Sequence, residues 1–358
     1  MCHPNASRAP FLGTRFAIRR LESAPLVARR SPFKLVAIAL LSAVIARAPD
    51  VRATEPVEAS RARAPIAIPQ HAATAPELLA PAPPVAFDHW KGLSYGTYLA
   101  PKADFVTADG GVDVVFHFHA GQMAERQMKE SGMNAVFVSC GFGIGSGGYS
   151  AAFASPERFG RMLDELVKNV ETSTGKKGLH VRHLALASWS AGFAAVSKIL
   201  NVERYYAMVD SVVLNDSLHS QYLDPKPLRA VDLEMIRAFI RFAKDAAAGN
   251  KVMVITHSAI VPPDYASSTE ATEALLTAIE VPATAIDLES RESQAGWRGM
   301  RLTKRADAGN LHVRGFRGRG PRDHFEHLYL IGEVLRSWVV PRWKREDRLV
   351  YTLAGEQL

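Results

Sequence analysis

Five short segments constrain this chain more than anything else in it: 112–118 (VDVVFHF), 134–140 (NAVFVSC), 184–189 (LALASW), 211–215 (SVVLN) and 251–256 (KVMVIT). Each is apolar almost throughout, not at alternate positions only, so each reads as a strand covered on both faces. A more mixed segment, 311–316, is the candidate last strand. Between them run helical patterns. Phe159, Met162, Leu163, Leu166, Val167 and Val170 recur at helical spacing behind Ser155 and Pro156, which open the helix. Helices are also expected over 191–200, 231–247, 267–279 and 323–338, the third starting at a Ser267–Glu270 capping box. Strands alternating with helices predict an α/β fold, a mostly parallel sheet with helices on both faces in three layers. In such sheets the chemistry gathers at the carboxyl ends of the strands.

The first 86 residues are of a different kind. Residues 1–53 carry nine basic residues against Glu22 and Asp50, which accounts for the whole formal charge of +7. The basic balance therefore belongs to a leader and gives no reason to expect a nucleic-acid partner. Arg29, Arg30 and Lys34 precede an apolar run at 35–45, with small residues up to Ala53. That is the order of a secretory signal, loosely of the twin-arginine kind, and the run is short for a membrane span. Export to the periplasm or medium is expected, with no stable membrane insertion after leader removal; a retained anchor is the alternative. Residues 54–86 are rich in Ala and Pro and read as a tether. One folded domain is expected over 87–345, followed by a tail at 346–358. Of the two cysteines, Cys2 lies in the leader, so the core must hold without an internal disulfide. Cys140 reads as a packed strand residue.

The segment LALASWSAGF (184–193) runs from strand to helix through small residues around Ser190. A serine there can stand clear of the sheet if its neighbours two before and two after are small; Ser188 and Gly192 fill those places. Such a serine needs a base, an acid and donors for an oxyanion. His324 opens the last helix and is the preferred base, with His327 its competitor. Asp216, at the end of the strand after the elbow helix, is the preferred acid, with Asp264 the alternative. Backbone N–H groups of Ala191 and of Ala120 or Gly121, in the turn HAG (119–121), are the oxyanion donors expected.

With these residues the chain resembles the α/β-hydrolase family. The order Ser190, Asp216, His324 follows the family order, and the 119–121 turn is similar to its histidine–glycine turn. Ser188 and Ala120 stand where the family has glycine, and Asp216 lies one strand before the commonest acid position. The resemblance implies a serine hydrolase acting on an ester, thioester or amide of a small molecule or polymer through an acyl-enzyme, or an acyltransferase. It requires no metal or organic cofactor.

Other readings remain at this point. His117 and His119 have the spacing of a metal pair, with His257 a third candidate and His183 at the wrong strand end. GIGSGG (143–148) matches a dinucleotide fingerprint by letters, but no helix is expected before Ser155 and no acid closes the next strand. The loop is expected to border the cleft. RGFRGRGPR (314–322) reads as a mobile basic loop beside His324. A non-catalytic binding protein on a hydrolase scaffold is the alternative from another class. Oligomeric state is not legible.

Overall fold

The computed structural model describes residues 82–345, except 225–228 and 296. The leader (1–53), nearly all of the tether (54–86) and the tail (346–358) lie outside the described residues. Ten strands form one sheet: β1 (Lys91–Leu93), β2 (Gly96–Leu99), β3 (Gly111–Phe118), β4 (Val136–Cys140), β5 (His180–Trp189), β6 (Ser211–Asn215), β7 (Val252–His257), β8 (Thr284–Ala285), β9 (Leu302–Ala308) and β10 (Leu311–Phe316). Their order is β1-β2-β4-β3-β5-β6-β7-β10-β9-β8. The six strands from β4 to β10 are mutually parallel, and antiparallel strands flank them on both sides. All six expected strands are therefore present, and they form the parallel centre.

Apolar residues on both sides of each strand supply two cores. Val114, Phe116, Leu184, Leu186, Val212, Leu214, Met253 and Ile255 face one core, which helices Glu157–Thr174, Phe193–Leu200, Arg237–Ala247 and Ser268–Ala278 complete. Their alternates Val115, Ala185, Ala187, Val213, Val252 and Val254 face the other, closed by Met128, Leu328, Ile331, Val334 and Leu335. Each strand interior is thus screened from water on both faces, as its unbroken apolar run requires. The architecture is the expected three-layer α/β sandwich.

Several local expectations are corrected. A helix, Ser146–Ala152, starts inside the glycine-rich segment, well before Ser155. Residues 231–236 are not helical, because Tyr222 and Val231 form a bridge and Asp232 N–H bonds Gln221. Arg314 belongs to β10 and not to a mobile loop; it is 1% exposed and its guanidinium meets Asp307 at 2.9 Å. The chain also engages the domain before Phe87, through Val85 N–H to Lys129 O at 3.2 Å. Cys140 is buried and unpaired, and burial pushes its thiol pKa up, which keeps it inert.

Candidate active site

Strand order reverses at β3, with β4 on one side and β5 on the other. The carboxyl ends of β3, β5, β6 and β10 lie on one edge, and the expected site residues leave from there: His119–Gly121, Ser190, Asp216 and His324. Among the described residues, seven non-glycine residues have positive φ, and four of them are in this set: His119 (75°), Ala120 (55°), Ser190 (49°) and Asp216 (47°). Such backbone costs about 1–3 kcal/mol per residue, and it concentrates where function holds a side chain in place.

Ser190 follows β5 directly and starts a short 3-10 turn into helix Phe193–Leu200. Gly192 is obligatory, since a Cβ there would lie 2.3 Å from Phe118 O on the neighbouring strand. Ser188 is fully buried, and its Oγ lies 2.8 Å from Ser217 Oγ. Ser217 donates its one hydroxyl hydrogen to Ser190 O at 2.8 Å, so Ser188 must be the donor to Ser217. Ser188 thus ties the turn at Ser190 to Ser217, two residues beyond the end of β6.

Asp216 is 2% exposed. Its Oδ2 accepts from His324 Nδ1 at 2.7 Å, and its Oδ1 accepts from Ser258 N–H at 2.9 Å and from the Ser268 hydroxyl. Burial alone would raise this carboxyl pKa; the nearby His327 and His324 rings and the Ser258 N–H outweigh it and hold the carboxylate ionised. An ionised carboxylate only accepts, so Nδ1 of His324 carries hydrogen and Nε2 keeps its lone pair. No hydrogen bond joins Ser190 Oγ to His324 among the described residues. Nucleophile and base commonly sit looser before substrate arrives.

The His324 turn is fixed from two sides. Asp323 Oδ2 accepts the N–H groups of Arg319 and Gly320, and Trp189 Nε1 donates to His324 O at 2.8 Å. The Trp189 indole lies 4.5 Å from the His324 ring and 5.1 Å from that of His119, whose Nδ1 is 2.8 Å from the Tyr149 hydroxyl. His119 N–H is bound to Cys140 O, so Ala120 and Gly121 are the donors left on that turn. Gly121 is tightly packed, since a Cβ would lie 2.8 Å from Ser139 Oγ and crowd the Cβ atoms of Ser139 and His117, whereas Ala120 sits in the left-handed region at a modest cost.

Next to Ser190 opens a cleft of about 290 Å³ lined by Ala191, Ile144, Phe193, His219, Met235 and Tyr265, among others. The glycine-rich segment does border it, through Ile144, Gly145 and Ser146. A larger hollow of about 410 Å³ lies at the opposite edge, by Asp113, Arg182 and Trp343, away from these groups.

The competing candidates fall elsewhere. His117 and His119 do not form a pair: β3 stops at Phe118 and the chain turns at His119. Both His117 nitrogens are buried without a partner, and burial pushes its pKa down to about 3. His257 Nδ1 faces Thr269 Oγ1 at 2.8 Å, and His183 pairs with Asp113 at the amino edge. Among the described residues no three potential ligands converge on a metal position. His327 is fully buried against Thr256, and Asp264 lies exposed in a separate hollow, so neither replaces its rival geometrically. No helix among the described residues is long and apolar enough to cross a membrane.

Ser217, Ser258, Ser268, Trp189 and His219 were not legible as site residues. Ser217 and Trp189 had only the signal of standing beside Asp216 and Ser190.

No family model and no curated protein matches the chain. Solved structures similar to it include the poly(3-hydroxybutyrate) depolymerase LpqC from Bordetella parapertussis, at 13% identity over 68% of this chain and 84% of that one, TM-score 0.37. Enterochelin esterase from Shigella flexneri is 11% identical over 75% of this chain and 60% of its own, TM-score 0.42. Est1E from Butyrivibrio proteoclasticus is 14% identical over 72% and 98%, TM-score 0.34.

Proposed function

We propose that this protein is a serine hydrolase that cleaves an ester, thioester or amide through an acyl-enzyme. The observation that carries the reading is the 2.7 Å contact of His324 Nδ1 with the buried Asp216 carboxylate, on the edge where Ser190 sits on a left-handed turn. Ser190 Oγ attacks the acyl carbon while His324 Nε2 takes its proton. The oxyanion is met by the N–H of Ala191 and of Ala120 or Gly121. His324 then returns the proton to the leaving group, and a water, activated in the same way, releases the acid. Another acceptor in place of water makes the same chemistry a transfer. Asp216 holds the imidazole tautomer and stabilises the imidazolium. The order of residues 29–53 supports export as the setting, and amino-terminal sequencing from a native-type host tests that: a mature chain starting at Met1 contradicts it.

If Ser190 and His324 act as a unit, their losses do not multiply. Ser190→Ala and His324→Ala should each abolish most turnover, and the double variant should be scarcely slower than either. Independent, multiplying losses contradict the pairing.

A further inference from the structure

We propose that the part of the substrate lodged beside Ser190 is compact and apolar and carries one hydroxyl or N–H, which donates to His219 Nε2. The inference rests on the hydrolase reading and assigns that site its substrate class. Size comes first. About 290 Å³ is at the low end of ligand-pocket volumes, about 300–1,000 Å³, and suits a short acyl or alkyl group. Ile144, Phe193, Met235 and Tyr265 supply apolar wall, with Ser146, Ser220 and Gln221 as polar points on the same lining.

His219 is the ring acceptor on that lining. Its ring is clamped edge-on between Phe193 (5.6 Å, 66°) and Tyr265 (5.4 Å, 85°). Nδ1 lies 3.4 Å from Ala266 O, and a carbonyl only accepts, so Nδ1 carries the hydrogen and Nε2 the lone pair. Burial pushes the pKa of this imidazole down, only partly opposed by the Asp216 charge and the carbonyls of Ala266 and Asp216, so the neutral ring with an accepting Nε2 is favoured near pH 7. The ring also meets the backbone carbonyl of Asp216, three residues before it, and among the described residues no side chain hydrogen-bonds Nε2. Ser220, its neighbour in the lining, is already committed through its hydroxyl to Asp232 O at 2.7 Å. A fixed acceptor on an apolar wall selects strongly, because a substrate offering only C–H strips it of water and returns nothing.

Matched esters test this. Ethyl lactate against ethyl propanoate, and ethyl β-hydroxybutyrate against ethyl butyrate, vary the acyl side; hydroxyethyl against propyl butyrate varies the alcohol side. In the wild-type protein at least one pair should favour the hydroxylated ester by about tenfold or more in kcat/KM. His219→Phe should bring that ratio to about one, and the smaller His219→Leu should do the same. His219→Gln, whose Oε1 still accepts, should keep a preference. Ratios near one for every pair in the wild type, or a preference that survives in both apolar variants, overturn the proposal. Labelling of wild-type Ser190 by a fluorophosphonate separates the two failures. A labelled protein without hydroxyl preference loses this inference alone, whereas an unlabelled one loses the hydrolase reading as well.

Discussion

Asp216 collects groups from three elements: the Ser258 N–H after β7, the Ser268 hydroxyl on the helix that follows, and the His324 ring after β10. Asp216→Asn keeps the shape but offers an amide where the imidazole needs an acceptor, so kcat should fall by about 10⁴-fold with the fold retained by circular dichroism. Asp264→Asn should change kcat little; the reverse ranking contradicts the assignment. The folded pKa of Asp216 lies below its unfolded value of about 4, so its stabilising contribution is present above that pH and is lost as pH falls towards the folded value. Ser188 is the second residue to test. Its hydroxyl is the outer link of the Ser188–Ser217–Ser190 chain, so Ser188→Gly should cost about 1 kcal/mol in urea denaturation through one lost hydrogen bond. Ser188→Leu has no space at a fully buried position and should unfold the elbow. Ser190, Asp216 and His324 were legible as candidates because each ends a strand or opens a helix in a recognisable order. His219 and Ser268 were not, because their roles come from packing across 47 and 52 residues of sequence, which no local pattern encodes.

Helix Ser268–Ala278 does two jobs with adjacent serines. Ser267 caps it, accepting Glu270 N–H at 3.1 Å, while Ser268 points its hydroxyl to Asp216. Ser267→Ala should therefore lower stability by about 1 kcal/mol, seen as a reduced Tm, with kcat little changed. Ser268→Ala should reduce kcat by about tenfold and alter its pH profile, because the carboxylate that orients His324 loses one of its donors. Equal effects of the two variants on both readouts contradict this division. The capping box was legible as a four-residue signal. Helix Ser146–Ala152 was not, since two glycines and a single buried residue, Tyr149, leave no periodicity to detect. The glycine at 148 is there for space: a Cβ would lie 2.0 Å from Phe142 O. The outer, antiparallel strands escaped for a related reason. β1 and β2 are three and four residues long, and β9 carries Lys304, Arg305 and Asp307 on partly exposed positions. Edge strands need fewer apolar residues than central ones, so their signal is weak.

At the scale of the molecule, unbroken apolar runs were enough to read a parallel sheet covered twice, because no other arrangement hides both sides of six strands. What they could not convey is the titration built into the interior. Burial pushes the pKa of His117 down to about 3 and that of His257 to about 4. The unfolded chain binds protons at both from about pH 6.5 downward while the native state does not. Their contribution to stability is thus complete above about pH 6.5 and is lost as pH falls towards 4 and 3. Tm should fall across that range, and His117→Leu should flatten part of the slope while leaving the protein no less stable at pH 7, since both ring nitrogens already lack partners. An unchanged slope in the variant contradicts the account of His117.

If Ser190 is a nucleophile made reactive by the His324–Asp216 pair, it reacts covalently with an activated phosphorus electrophile. Fluorophosphonate labelling followed by peptide mapping tests it most directly. The wild-type protein should take one label, on Ser190; Ser190→Ala should take none, and His324→Ala should label orders of magnitude more slowly. A wild-type protein that does not label, a label on another residue, or an undiminished rate in His324→Ala would contradict it.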